Sequence, residues 1–224
     1  MTLDSARINY GKLAVRILLY FVVSLICIVI LYPYFVMFCT ALKSRQEIFA
    51  INGTVLPIEY IWTNFTDIWT LAPMGEYLLN SVLIASGSTA IAMVCGIPAA
   101  YALARMKFKG QTAFLGFIIV SQMFAPVVLL IGIYKVLNLL TLTDSLLGLI
   151  FINAWNEFTV ALCLMSTDTL KPMTVGINIF NGYNIIEWQY LFASSIIAII
   201  PVVILFMSIE KNLTSGLTAG GVKG

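Results

Sequence analysis

Four stretches of the chain, residues 17–42, 78–104, 113–134 and 190–209, each run for twenty residues or more without a single charge. That pattern dictates most of what the chain can fold into. A bilayer core about 30 Å thick is crossed by about 20 apolar residues in a helix, and a helix satisfies all of its own backbone polar groups in lipid. Composition agrees: 61% of residues are hydrophobic and 10% are charged, against about a quarter charged in a soluble domain. More greasy surface exists than one core can hide, so the solvent is largely lipid. The sequence therefore predicts an all-α, polytopic transmembrane helix bundle, a single domain over 1–224, with four clear spans.

A fifth stretch, 145–165, "SLLGLIFINAWNEFTVALCLM", is harder to place. At 1.5 Å per residue a helix of that length reaches about 31 Å, just enough to cross. Yet Asn153, Asn156 and Glu157 sit in its middle, and an ionised carboxylate there costs on the order of 2–3 kcal/mol. On a helix Asn153, Asn156, Glu157 and Val160 share a face. A buried acid in a span marks a functional position by default. The face suits interhelical hydrogen bonding first and a polar substrate path second, with Trp155 available for stacking.

Basic residues favour the cytoplasmic side. The amino tail 1–16 carries Arg7, Lys12 and Arg16, and the loop "RMKFKG" carries Arg105, Lys107 and Lys109. Both belong inside, which agrees with two spans between them and puts loop 43–77 outside. That loop holds Tyr60, Trp62, Trp69 and Tyr77, residues that favour the membrane interface. The first apolar run is far longer than the 7–15 residues of a signal peptide's core, so it reads as a retained anchor. If 145–165 crosses, the carboxyl terminus lies outside and basic residues split 7 inside to 5 outside. If it makes no net crossing the terminus lies inside and the split is 8 to 4, which the charge rule prefers by one lysine.

Several function classes are excluded. There is no histidine, hence neither the commonest metal ligand nor the commonest general base. No GxSxG string and no pair of membrane aspartates occurs, and Glu157 is the only acid in a candidate span. The chain does not read as an enzyme, and no catalytic residue, metal or cofactor is expected. A net charge of +2 without a basic block argues against nucleic acid. Cys27, Cys39, Cys95 and Cys163 all fall in apolar stretches and read as small hydrophobes. Pro33, Pro98, Pro126 and Pro201 are expected to interrupt their helices, and "SGSTA" (86–90) offers small residues where another helix can approach.

Taken together, "LKSRQEIF" (42–49), "YLLNSVLIA" (77–85), "AAYALARMKFKG" (99–110), "SQMFAPVVLLIGIYKVLNLLTLTDSLLGLI" (121–150), "AWNEF" (154–158) and "GLTAGGVKG" (216–224) resemble a known family. It is that of the inner-membrane permease subunits of binding-protein-dependent sugar ABC transporters, of the maltose-transporter type. The resemblance runs from about residue 16 to the end. It implies a multi-pass subunit of a bacterial-type inner membrane with a cytoplasmic amino terminus, working with a sister permease, two ATPase subunits that hydrolyse the ATP, and an external sugar-binding protein, all within membrane lipid.

The resemblance also implies something missing. Members of the family complete a fourth span after "LLGLI", then carry a cytoplasmic "EAA…DG" coupling loop, then enter the fifth span that contains "AWNEF". Here "LLGLI" runs directly into "FINAWNEF", and no "EAA" or "DGA" string occurs. Residues 78–224 thus resemble a shortened permease core, in which 145–165 joins the outer ends of two helices. Contact with an ATPase is then left to Arg105, Lys107 and Lys109 and to tail positions Leu217, Gly220 and Lys223, the tail glycines allowing it to follow an irregular groove. The leading expectation is a carbohydrate-importer subunit with impaired coupling. The alternative is a non-transporting partner or decoy derived from such a permease, which need only hold the sister subunit.

Overall fold

The computed structural model describes residues 10–51, 53–123, 126–153, 162–182 and 185–221. Three helices dominate: α1 (Tyr10–Ala41), α4 (Met74–Arg105) and α9 (Trp188–Gly221). Between them lie α5 (Gln111–Gln122), α6 (Pro126–Leu139) and α7 (Leu146–Asn153). Short helices α2 (Arg45–Ile48), α3 (Asn64–Leu71) and α8 (Met173–Gly176) punctuate the long connections. Among the described residues the only extended pairing is one isolated bridge, Asn181 with Ile186. The architecture is an all-α membrane helix bundle.

Three segments are long and apolar enough to cross a bilayer: Val15–Ala41, Met74–Arg105 and Trp188–Glu210. They match three of the four expected spans. The expected span 113–134 is not one helix but two, α5 and α6. Pro126 opens α6, where its missing N–H is no loss, because a proline inside a helix clashes with the preceding turn. The other prolines do not break their helices, since Pro33, Pro98 and Pro201 all lie inside continuous ones.

The packed core sits at one end of the bundle. Ala41 at the end of α1, Met74 and Tyr77 at the start of α4, and Ala193 near the start of α9 join Ile68, Ala72, Met173 and Phe180 in one cluster. Helix α1 therefore runs into this capped end while α4 and α9 run out of it. Tyr10, Arg105 and Gly221 consequently lie at the opposite end. There the helices are bare: residues 15–35 of α1 are all exposed, and nothing is buried in α4 beyond Ser88. In α9 every residue from 199 to 210 is exposed.

Side-chain amides stitch the cap to the helix ends. Asn64 Nδ2 donates to the carbonyls of Ala41 (2.8 Å) and Lys43 (3.0 Å), which satisfies acceptors that the last turn of α1 leaves unpaired. Asn80 Nδ2 on α4 does the same for Thr169 (2.8 Å) and Lys171 (3.2 Å). Ser81 Oγ accepts from the Met173 amide at 2.7 Å. Small residues allow the closest approaches: a Cβ on Gly87, within the "SGSTA" run, would stand 2.9 Å from Ile150, so α7 packs on that face as expected.

A tighter fit occurs at Gly176, where a Cβ would stand 2.4 Å from the ring of the fully buried Tyr77. The ring is wedged into the main cluster and cannot swing away. Gly176→Ala is expected to destabilise the fold by about 1–3 kcal/mol, the usual cost of overpacking. Gly87→Ala should cost less, because a flexible Ile150 side chain can yield. Thermal unfolding of both variants in one detergent checks the order, and equal midpoints would contradict the wedge.

Candidate functional site

The polar segment 145–165 is tied at both of its ends. It follows a tight turn in which Thr141 and Asp144 both adopt left-handed backbone conformations, φ 56° and 55°. That region is sparsely populated by non-glycine residues, with Asp among the more tolerant. Ser145 then starts α7, its Oγ accepting from the Gly148 amide at 3.1 Å as a helix N-cap does. The Asp144 carboxylate turns the other way. Its Oδ1 accepts from the amides of Ser166 and Thr167, both at 3.0 Å, and its Oδ2 accepts from the Thr167 hydroxyl.

Residue 144 and residues 166–167 therefore meet, and the stretch between them begins and ends at the same level. Two apolar clusters hold the junction from below: Leu137 with Leu164, and Leu149 with Met165, Ile84 and Val175. Three hydrogen bonds to Asp144 fix the described ends of the segment beside each other. Those bonds also set the titration of the group. The Thr167 hydroxyl and amide first, then the Ser166 amide and the nearby Lys171 charge, hold the Asp144 carboxyl below its ordinary value although burial opposes them.

Of the residues singled out on this segment, Asn153 closes α7. Its side chain, and Trp155, Asn156 and Glu157 entirely, lie outside the described residues. The bare end of the bundle gathers the second group. Arg105 is the last residue of α4, and Lys107 and Lys109 stand exposed in the turn that follows. Gly110 takes φ +96°, a conformation that requires glycine there, and Gln111 Nε2 donates back to the Leu103 carbonyl at 2.7 Å. Leu217 and Gly220 belong to the same end, because α9 continues as helix to Gly221. The tail up to that point is helical, and Lys223 lies outside the described residues. Asp144, Asn64 and Asn80 were not anticipated. "TDS" just before the apolar "LLGLI" was a legible cap signal for Ser145, and for nothing longer in range.

No protein-family model matches the sequence. Individual relatives do. The chain is 26% identical to the inner membrane ABC transporter permease protein YcjP of Escherichia coli, with 93% of this chain and 97% of that protein covered. It is 26% identical to the sulfoquinovosyl glycerol transport system permease protein SmoH of Agrobacterium fabrum, with 87% and 89% covered. It is 28% identical to the trehalose/maltose transport system permease protein MalG of Thermococcus litoralis, with 66% and 75% covered. Among solved structures, a chain of a bacterial ABC transporter involved in the import of the acidic polysaccharide alginate has the same fold, with TM-score 0.65, 15% identity and 94% of this chain covered.

The alignments carry one more fact. That to YcjP extends over 271 positions but holds 93% of a 224-residue chain, about 208 residues, so roughly sixty positions of the relative face nothing here. The alignment to SmoH, 254 positions against 87% of the chain or about 195 residues, again leaves about sixty.

Proposed function

We propose that this chain, a homologue of sugar ABC transporter permeases, is a membrane-spanning subunit of an ATP-driven carbohydrate importer and lines the translocation path together with a sister permease. It is a transporter component and not an enzyme; separate ATPase subunits hydrolyse ATP, and an external binding protein delivers the sugar. The observation that carries this reading is the near end-to-end cover of the permease proteins YcjP and SmoH, the second a sulfoquinovosyl glycerol permease, beside the partial match to a trehalose/maltose permease. The fold likeness to an importer chain is in keeping with it. The subunit sits in the cell membrane with its amino tail, Arg105–Lys107–Lys109 and α9's end all cytoplasmic. The capped end is then external, which puts the tryptophans of 43–77 at the outer interface.

The roughly sixty unmatched positions support impaired coupling. By the family resemblance they fall between Ile150 and Phe151 and contain the loop that docks into the ATPase. What remains for the ATPase is Arg105, Lys107, Lys109 and the tail positions Leu217, Gly220 and Lys223. Coupling needs an element whose two positions differ in contact energy with the moving partner, and two peripheral contacts supply little of that. The bare ends of α1, α4 and α9 are the surfaces such a segment and a sister subunit would cover. The polar face of Asn153, Asn156 and Glu157 serves as interhelical contact, with Trp155 beside it.

Topology tests the reading most directly. A reporter fused after Gly224 is expected to be cytoplasmic, and affinity capture of the chain should retain the sister permease firmly and the ATPase weakly. A reporter on the external side would sink the proposal, since the tail would then lie beyond the reach of any ATPase.

A further inference from the structure

A cavity of about 490 Å³ opens at the capped end between the first long connection and the last. It is lined by Arg45 and Phe49 on one side and by Ile185, Ile186 and Trp188 on the other. Trp188 is the first residue of α9, whose span Trp188–Glu210 crosses the bilayer. The cavity therefore opens at the membrane–water boundary, and the exposed side chains of Phe49 and Ile185 give it an apolar wall.

Its polar edge carries both signs. Arg45 Nη1 lies 2.9 Å from Glu187 Oε1, and Gln189 Nε2 donates to Glu187 Oε2 at 2.7 Å. Arg45 has five N–H donors and spends one on this pair, so a planar fork remains for a phosphate. Glu187 keeps lone pairs for a further donor. Gln189 itself is only 4% exposed and is not part of the cavity wall, so its amide holds the Glu187 carboxylate in place from behind. A ligand that fits has an anionic phosphate, an ammonium with N–H groups, and apolar chains, all at the height of the bilayer surface.

We propose that this cavity is a binding site for a phospholipid headgroup bearing a primary amine: phosphate on Arg45, ammonium on the Glu187 carboxylate beside it, and glycerol and upper acyl carbons against Phe49, Ile185, Ile186 and Trp188. A sugar fits less well, because the walls are mainly apolar and offer few hydrogen-bonding groups. The site rests on the chain's being in a membrane and not on its transporting anything.

The test uses the whole chain in nanodiscs of mixed dioleoyl-phosphatidylethanolamine and dioleoyl-phosphatidylcholine, with retained lipid counted by native mass spectrometry after transfer to detergent. Phosphatidylethanolamine should be retained at least fivefold over phosphatidylcholine, whose quaternary ammonium has no N–H. Arg45→Gln and Glu187→Gln should each bring the ratio close to one. An equal ratio in the unaltered chain overturns the proposal, and so does a preference that survives in both variants. Should either variant misfold, stepwise N-methylation of the lipid headgroup on the unaltered chain decides instead, since retention must fall with each lost N–H. Displacement of the lipid by a soluble oligosaccharide would assign the cavity to sugar and also overturn it. Loss of transport has no bearing on any of these readouts.

Discussion

Grafting the corresponding block of about sixty residues from a permease such as YcjP between Ile150 and Phe151 is expected to raise ATP-coupled sugar uptake by at least tenfold over the ungrafted chain. The reasoning starts from exposure. In α4 nothing is buried beyond Ser88, and in α9 nothing is buried beyond Ser194 among the residues whose side chains are described. Helices in lipid associate through close packing and interhelical hydrogen bonds, with little hydrophobic driving force between them. A face without a matching surface thus contributes nothing to stability. The α4–α7 interface, tight at Gly87 and Ile150, stops at Asn153 while α4 continues to Arg105. A graft would prolong that interface and add the element on which an ATPase can pull.

Two readouts separate the effects. The grafted chain should withstand detergent heating several degrees better, through packing alone, and should also hold the ATPase through affinity capture. Uptake by the ungrafted chain already equal to the graft's would show that the loop is dispensable and would end the impaired-coupling reading. A gain in heat resistance without a gain in uptake would show that packing was restored but the coupling contact was not.

Much of the bundle was legible because its signal is local. Residues 17–42, 78–104 and 190–209 carry no charge, and lipid asks little more of a helix than that. The break between α5 and α6 was flagged by Pro126 yet read as an interruption within one span, because an apolar sum over 113–134 does not register a lost backbone bond. The other prolines show the converse, since α1, α4 and α9 continue through theirs. What the sequence could not reveal is contact between distant residues. Gly176 against Tyr77 and Asn80 against Thr169 join positions about a hundred and about ninety apart, and no periodicity encodes such a pairing. The tie from Asp144 to Ser166 and Thr167 was no more legible, since Asp144 read as ordinary turn punctuation.

Asp144→Ala is expected to release the junction at Ser166 and Thr167, and amide hydrogen exchange is the measurement that shows it. In the native chain both amides donate to one carboxylate oxygen, and the Thr167 hydroxyl engages the other. Hydrogen bonds to a charged group contribute about 1.5–3 kcal/mol in favourable cases, and this group is near the surface, where water competes. Roughly tenfold faster exchange over 166–167 is therefore the expected size. Asp144→Asn keeps a carbonyl acceptor and should fall between. Asp144→Gly accommodates the 55° φ while removing the carboxylate, so it should match the alanine variant if the carboxylate matters and the native chain if only the turn does. The pH dependence follows in sign. The bonds lower the folded-state pKa below its unfolded value, so their stabilisation is complete above about pH 4 and is lost only as pH falls through the lowered value. The junction should stay closed at neutral pH and open in stronger acid. Exchange that already quickens near neutrality, or that ignores Asp144→Ala, would mean that the clusters around Leu164 and Met165 hold the segment without the carboxylate.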